Sequence, residues 1–180
     1  KSDGSTRRKL AGSGRPKWSP DGHRFLIVSL DPPYELVLID DRPNHYSGKI
    51  GTPWLLSVPS WSDEFNIVAV TASESGKPGD TISLIDMGPV NPGNIKSTLC
   101  QIGNGLDIRP SDPVFSSTTY QCAFVIVEKN GMVLSIIDSP NTQGGRMLEK
   151  GPPDRLIQDL AFSPDGRFLI FASSRGEPAK

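Results

Sequence analysis

Short apolar runs alternate with turn-forming stretches along the whole chain, and the runs fall into register with one another. An aromatic residue followed by serine occurs at Trp18-Ser19, Trp61-Ser62, Phe115-Ser116 and Phe162-Ser163. Seven positions after each aromatic an apolar run begins: Phe25-Leu26-Ile27-Val28, Val68-Ala69-Val70, Cys122-Ala123-Phe124-Val125 and Leu169-Ile170-Phe171-Ala172. A third run ends in Ile-Asp each time, at Leu36 to Asp40, Ile82 to Asp86 and Val133 to Asp138. A weaker fourth element carries a basic residue, an apolar residue and then glycine: Lys9-Leu10-Ala11-Gly12, Lys49-Ile50-Gly51, and Arg146-Met147-Leu148 through Gly151. These runs are short, rich in β-branched and aromatic residues and bounded by turn formers, which predicts strands rather than helices. Four strands per unit, with unit starts about 43, 54 and 47 residues apart, predict the four-stranded antiparallel blades of an all-β propeller.

Turn chemistry supports the same division. In Ser19-Pro20-Asp21-Gly22 and Ser163-Pro164-Asp165-Gly166, proline presets φ at the second turn position, aspartate suits the third, and glycine accepts the exit geometry. Strand one is therefore expected to fold tightly onto strand two in both copies. The copies between them carry Asp63-Glu64-Phe65 and Ser117-Thr118-Thr119 instead, which predicts a different or looser turn.

The words Trp-Ser-Pro-Asp-Gly-x-Arg-Phe and Phe-Ser-Pro-Asp-Gly-Arg-Phe, each followed by an apolar strand and Ser29 or Ser173, resemble the WD-like repeats of the TolB-type β-propeller family. The opening Asp3-Gly4-Ser5-Thr6-Arg7-Arg8-Lys9-Leu10 is similar to the end of such a unit. The resemblance implies a propeller segment: residues 1–14 as the outer strand of a preceding blade, 15–57, 58–110 and 111–155 as blades, and 156–180 as the first strands of a further one. About three full blades and two partial ones are the expectation, within a larger propeller. The alternative is a four-bladed ring closed by residues 5–12 beside residues 159–173. The resemblance implies a non-catalytic scaffold for protein or ligand contacts, exported or periplasmic, with an unidentified protein partner. It also implies a second reading, a substrate-gating propeller of a prolyl-oligopeptidase-type peptidase whose catalytic domain lies elsewhere. One fold serves both, so the fold alone does not choose.

Composition adds few constraints. The 18 Gly and 17 Pro suit many short strands and turns. A net charge of −1 gives no basic surface for nucleic acid, and Arg7-Arg8-Lys9 reads as the solvent face of an outer strand. No stretch is long and apolar enough for a membrane span, and no signal-peptide pattern stands at Lys1. Cys100 is expected on an outer strand and Cys122 at the start of an inner one, which makes a disulfide between them unexpected. No cofactor is expected.

Candidate chemistry is sparse. There is no G-x-S-x-G elbow and no Gly-rich phosphate loop, and Gly12-Ser13-Gly14 precedes a strand. His23 falls in a hairpin turn and His45 in a loop, neither at metal-ligand spacing from another ligand. Asp40, Asp86 and Asp138 recur where strand three turns toward strand four, which favours turn capping over metal binding. Trp18, Trp61, Phe115 and Phe162 are expected to fill the space between blades. Trp54 and Leu55 stand outside the repeat, in Gly51-Thr52-Pro53-Trp54-Leu55-Leu56, and form the candidate contact surface; they serve equally as a cover for the gap between blades. The stretches Met87 to Ile95 and Gly103 to Pro113 are the other candidate binding loops.

Overall fold

Each strand-two segment has two apolar faces, and the fold follows from giving both of them a neighbour. In β6 (Ile67–Ser73), Val68 and Val70 pack into one buried cluster while Ile67 and Ala69 pack into another. A continuous apolar run results, because Ile67 to Val70 are sandwiched on both sides and all four are buried.

The chain, as a computed structural model, is described at residues 14–29, 36–42, 48–50, 59–62, 66–73, 80–87, 98–102, 113–128, 130–139, 145–152 and 155–175. The described residues form strands and turns without helix. The first sheet runs β1 (Gly14–Trp18), β2 (Arg24–Ser29), β3 (Leu36–Asp40) and β4 (Gly48–Ile50) in spatial and chain order, every pair antiparallel. The second runs β5 (Ser60–Trp61), β6, β7 (Asp80–Asp86) and β8 (Thr98–Ile102). The third runs β9 (Val114–Phe115), β10 (Cys122–Glu128), β11 (Gly131–Ile137) and β12 (Arg146–Lys150). The fourth pairs β13 (Arg155–Phe162) with β14 (Leu169–Arg175). These are the four-stranded antiparallel blades of a β-propeller, and the ring is not closed within the described residues. The first strands β1, β5, β9 and β13 of successive blades lie beside one another.

Three seams hold the blades together. The first joins Leu26, Val28, Leu36 and Leu38 of blade one to Trp61, Val68, Val70, Ile85 and Met87 of blade two. The second places Ile82 and Leu84 of blade two against Cys122, Phe124 and Ile137 of blade three. In the third, Ala123, Val125 and Leu134 meet Ile157 and Leu160, with Phe162, Leu169 and Phe171 packed against them. β3 shows the rule within one strand, since Leu36 and Leu38 are fully buried in a seam while Val37 and Ile39 on the opposite face are only half-buried.

The repeated aromatics divide. Trp61 is 8% exposed, and burying such a ring contributes on the order of 2–3 kcal/mol. Phe115 and Phe162 are half-buried against their clusters. Trp18, expected in the core, is 59% exposed and touches Phe25 at a ring-centroid distance of 4.9 Å. The correction has a simple cause. Each repeat aromatic packs on the blade before its own, and no described sheet precedes β1. Among the described residues the exposed large apolar side chains are Trp18, Met147, Leu148, Leu156, Phe168 and Ile170, on the first strand, the last three or, for Phe168, the turn between β13 and β14.

Gly22 and Gly166 both sit at positive φ, 72° and 68°, but only Gly166 is crowded. A Cβ at Gly22 meets open space, whereas one at Gly166 collides with Thr118 Oγ1 and Ser116 Oγ of blade three. Gly22→Ala is expected to cost about 1 kcal/mol from backbone strain, and Gly166→Ala roughly 1–2 kcal/mol more. Urea unfolding midpoints of the two variants check this; equal losses would remove the inter-blade crowding as a cause.

Candidate interaction surface

Ser-Pro-Asp-Gly builds the same hydrogen-bonded turn twice. Ser19 N donates to Arg24 O at 2.7 Å and Gly22 N to Ser19 O at 3.0 Å; Ser163 N donates to Phe168 O and Gly166 N to Ser163 O, both at 2.8 Å. The aspartate caps the next bend, with His23 N donating to Asp21 Oδ1 and Arg167 N to Asp165 Oδ1, each at 3.1 Å. The serine hydroxyls donate to the same carboxylates at 2.5 and 2.6 Å. Strand pairing continues directly from the turn, Trp18 facing Phe25 and Phe162 facing Leu169. The third copy keeps only the frame, Ser116 N to Gln121 O at 2.9 Å, over a run of bends at 117–120. Residues 63–65 of the second copy lie outside the described residues.

The third turn has a use that its sequence does not announce. Ser117 Oγ donates to Pro164 O at 2.6 Å and Thr118 Oγ1 to Asp165 O at 3.0 Å. Hydroxyls standing where the two Ser-Pro-Asp-Gly copies have proline and aspartate clasp the turn of the following blade. A different clasp joins blades one and two. Arg24, with 11% of its side chain exposed, donates to Asn66 Oδ1 at 2.6 Å and Met87 O at 3.3 Å, and its Cζ lies 5.3 Å from the Trp61 ring centroid. Asn66 holds φ at 55°, and its side-chain amide donates to Met87 O at 2.7 Å. Arg24 carries no local sign of this role in the sequence, because the groups it reaches lie 42 and 63 residues on.

Of the strand-three aspartates, Asp40 caps the turn that follows its strand. Asp40 Oδ1 accepts from Arg42 N at 3.0 Å, and the Arg42 guanidinium adds a bidentate pair at 2.9 and 2.6 Å. Asp138 takes side-chain donors instead: Arg146 at 3.0 and 3.2 Å, and Gln121 Nε2 at 2.9 Å. Asp86 is exposed, and its charge reinforces the effect of burial on Tyr120, whose hydroxyl is pushed up to about 12. Among the described residues no three His, Cys, Asp or Glu side chains converge as metal ligands. His23 is exposed in its turn, with Nδ1 3.1 Å from Asp41 Oδ1, a partner that spacing alone did not reveal. Cys122 is buried at the start of β10, and Cys100 lies on β8, the outer strand of blade two.

Of the sequence candidates for contact, Trp54 and Leu55 lie outside the described residues, as do His45, residues 88–97 and 103–112, and the basic cluster at 7–9. What the structure brings together is one face of the propeller, formed by the strand-one turns and the strand-three ends. It carries His23, Asp41, Arg42, Arg146 and Arg167 on rigid hairpins.

No family model matches the chain, and no curated protein matches it. Solved structures do match in shape. The β-propeller domain of Cps50 (Swd1) from Myceliophteria thermophila superposes with a TM-score of 0.61 at 13% identity, covering 94% of this chain and 51% of that one. TolB from Acinetobacter baumannii gives 0.58 at 17% identity, over 94% and 45%. The dihydro-heme d1 dehydrogenase NirN, in complex with DHE, gives 0.56 at 21% identity, over 92% and 33%. The chain thus has a TolB-like β-propeller fold and spans about half the length of these neighbours or less.

The turn carboxylates set an acid limit on stability. The Ser163 hydroxyl and the Arg167 N–H hold Asp165 below its ordinary value of 3.8. Burial pushes Asp21 up, but the Ser19 hydroxyl, the His23 N–H and the Arg24 and Arg42 guanidinium groups outweigh it and leave it lowered. The Arg146 guanidinium, helped by Gln121, lowers Asp138. A carboxylate with a depressed folded pKa stabilises fully above its unfolded value and loses that contribution as pH falls through the folded one. Asp138→Asn is therefore expected to lower the urea midpoint near neutral pH, with the gap to wild type closing below pH 3.8. A gap that persists undiminished at about pH 2 would rule out the charge as its source.

Proposed function

We propose that the chain acts as a non-catalytic propeller scaffold that presents loops and turns to a protein partner, in the manner the TolB resemblance implies. The observation that carries the reading is how the described ionisable side chains are used. Asp21, Asp40, Asp138 and Asp165 bind turn backbones and arginines, and Arg24 binds a seam, so the fold spends them on holding blades rigid. A rigid frame with functional residues on its connections is the usual division of labour in such folds. The likeness to Swd1 and TolB supports a propeller platform, and at the identities found it speaks for the fold alone. NirN is a dehydrogenase by name, and its shared shape supports no chemistry here. The blade division at 15–57, 58–110 and 111–155, further blades in the full polypeptide, and export to the periplasm belong to the same proposal.

Trp54 and Leu55 are the proposed anchors, since they stand outside the repeat whose aromatics include the seam residue Trp61. Trp54→Ala is expected to abolish capture of a protein partner from a lysate of the native host, leaving the melting temperature within about 2 °C of wild type. A lower melting temperature with unchanged capture would assign Trp54 to the gap between blades. Peptide and ester substrates are expected to turn over at background rates, and turnover abolished by replacing a single serine would overturn the non-catalytic reading.

A further inference from the structure

The seam between blades three and four is tied at both ends. At the turn end, Ser117 and Thr118 bond to the carbonyls of Pro164 and Asp165. At the other end, where β11 and β13 begin, the acceptor is a sulfur: Ile157 N donates to Met132 Sδ at 3.1 Å. Met132 is half-buried against the seam residues Ala123, Val125, Leu134, Ile157 and Leu160, and its carbonyl accepts from Gly151 N at 2.9 Å. The Glu149–Arg155 ion pair joins the same two blades and is partly exposed.

The three methionines of the chain differ in reach and in duty. Met87 is 1% exposed, closed into the seam between blades one and two. Met147 is 59% exposed on the outer strand β12 and belongs to none of the three seam clusters. Met132 combines partial access with a sulfur that joins two blades.

We propose that Met132 is a reversible oxidation site, converted to the sulfoxide by a hydroperoxide, and that the conversion unfastens blade four from blade three at that end. Sulfur supplies two electrons to one peroxide oxygen, a bond forms between that oxygen and Sδ, and the O–O bond breaks; the departing hydroxide takes the proton and leaves as water. The new oxygen cannot lie between Sδ and Ile157 N, because a sulfur–oxygen bond followed by an ordinary N–H···O bond spans more than the 3.1 Å found there. It enters on the other lone pair. The sulfur left facing the N–H is then electron-poor and a worse acceptor, and a polar oxygen stands against an apolar cluster. Ile157 is 2% exposed, so water does not replace the lost acceptor unless the strands part. Both outcomes weaken the seam. The hydroxyl clasp at the turn end holds no sulfur and stays tied, which makes it the pivot about which blade four loosens. The site rests on the fold rather than on the scaffold role, so either can fail without the other.

Dilute hydrogen peroxide on the folded full-length protein, followed by peptide mapping and hydrogen-exchange mass spectrometry, tests it. Met147 is expected to gain an oxygen first and Met132 next, with Met87 unchanged. Once Met132 is oxidised, amides of β13 around Ile157 are expected to exchange at least about tenfold faster, while those of β6 and β7 keep their untreated rates. Methionine sulfoxide reductase with a thiol is expected to restore the protection. Stopping the reaction while only Met147 has reacted is expected to change no exchange rate. Met147→Leu is expected to leave the response intact and Met132→Leu, close in volume, to remove it, each protein being compared with its own untreated form. A Met132 that stays unoxidised while the fold persists overturns the proposal. So does an oxidised Met132 with β13 protection unchanged, and so does a response that survives Met132→Leu.

Discussion

Every blade depends on its neighbours because a sheet one strand thick cannot bury both of its own faces. Val68 and Val70 need blade one, while Ile67 and Ala69 need blade three, although the four residues are consecutive. Stability in such an array is close to a sum of intrinsic blade terms and nearest-neighbour seam terms. The distribution of exposure follows directly. The fully buried residues lie in the seams: Leu26, Leu36 and Leu38 of blade one, Val68, Val70, Ile82 and Leu84 of blade two, and Phe124 and Ile137 of blade three. Trp18 and Ile170, chemically equivalent to buried residues one or more repeats away, face outward only because their side of the blade has no described neighbour.

Apolar seams fix distance better than they fix orientation, and each described clasp adds directional bonds where the hydrophobic surfaces leave freedom. Arg24 reaches from blade one to Asn66 and Met87 of blade two, and Ser117 and Thr118 reach from blade three to the turn of blade four. The third repeat therefore has not simply decayed. With Ser117 and Thr118 in place of proline and aspartate it holds two hydroxyls at the height of its neighbour's turn, and a Cβ at Gly166 of that turn would collide with Thr118 Oγ1. The irregular copy and the regular copy are complementary parts of one seam.

Strand number, order and hairpin positions were legible in the sequence because each has a local cause. A short apolar run, a turn former and an aromatic seven positions earlier are all visible within a dozen residues. What stayed hidden depended on partners far along the chain. Nothing near Trp18 distinguishes it from Trp61, as the difference lies in whether a described sheet precedes. Arg24 has no local sign of its role because its partners are 42 and 63 positions away. Asp40 was readable as a turn cap from its position, since its backbone donor is two residues on, but the neutral donor of Asp138, Gln121, is 17 residues back across the sheet. The candidate anchors Trp54 and Leu55 stand apart for the opposite reason: they break the repeat, so no equivalent residue in another blade says what surrounds them.

The same logic bears on where function can reside. A carboxylate committed to a turn backbone and an arginine cannot be lent to a ligand without loosening the hairpin it holds. Asp21 and Asp165 each satisfy a serine hydroxyl and a backbone N–H, and recruiting either would release both. Binding is cheapest for the fold at groups with no such duty, which are the exposed tips of the turn face, the segments between blades, and any blade face still open. Those are also the positions where the repeat constrains the sequence least. A propeller of this kind can then change its partner by altering residues that its seams never touch.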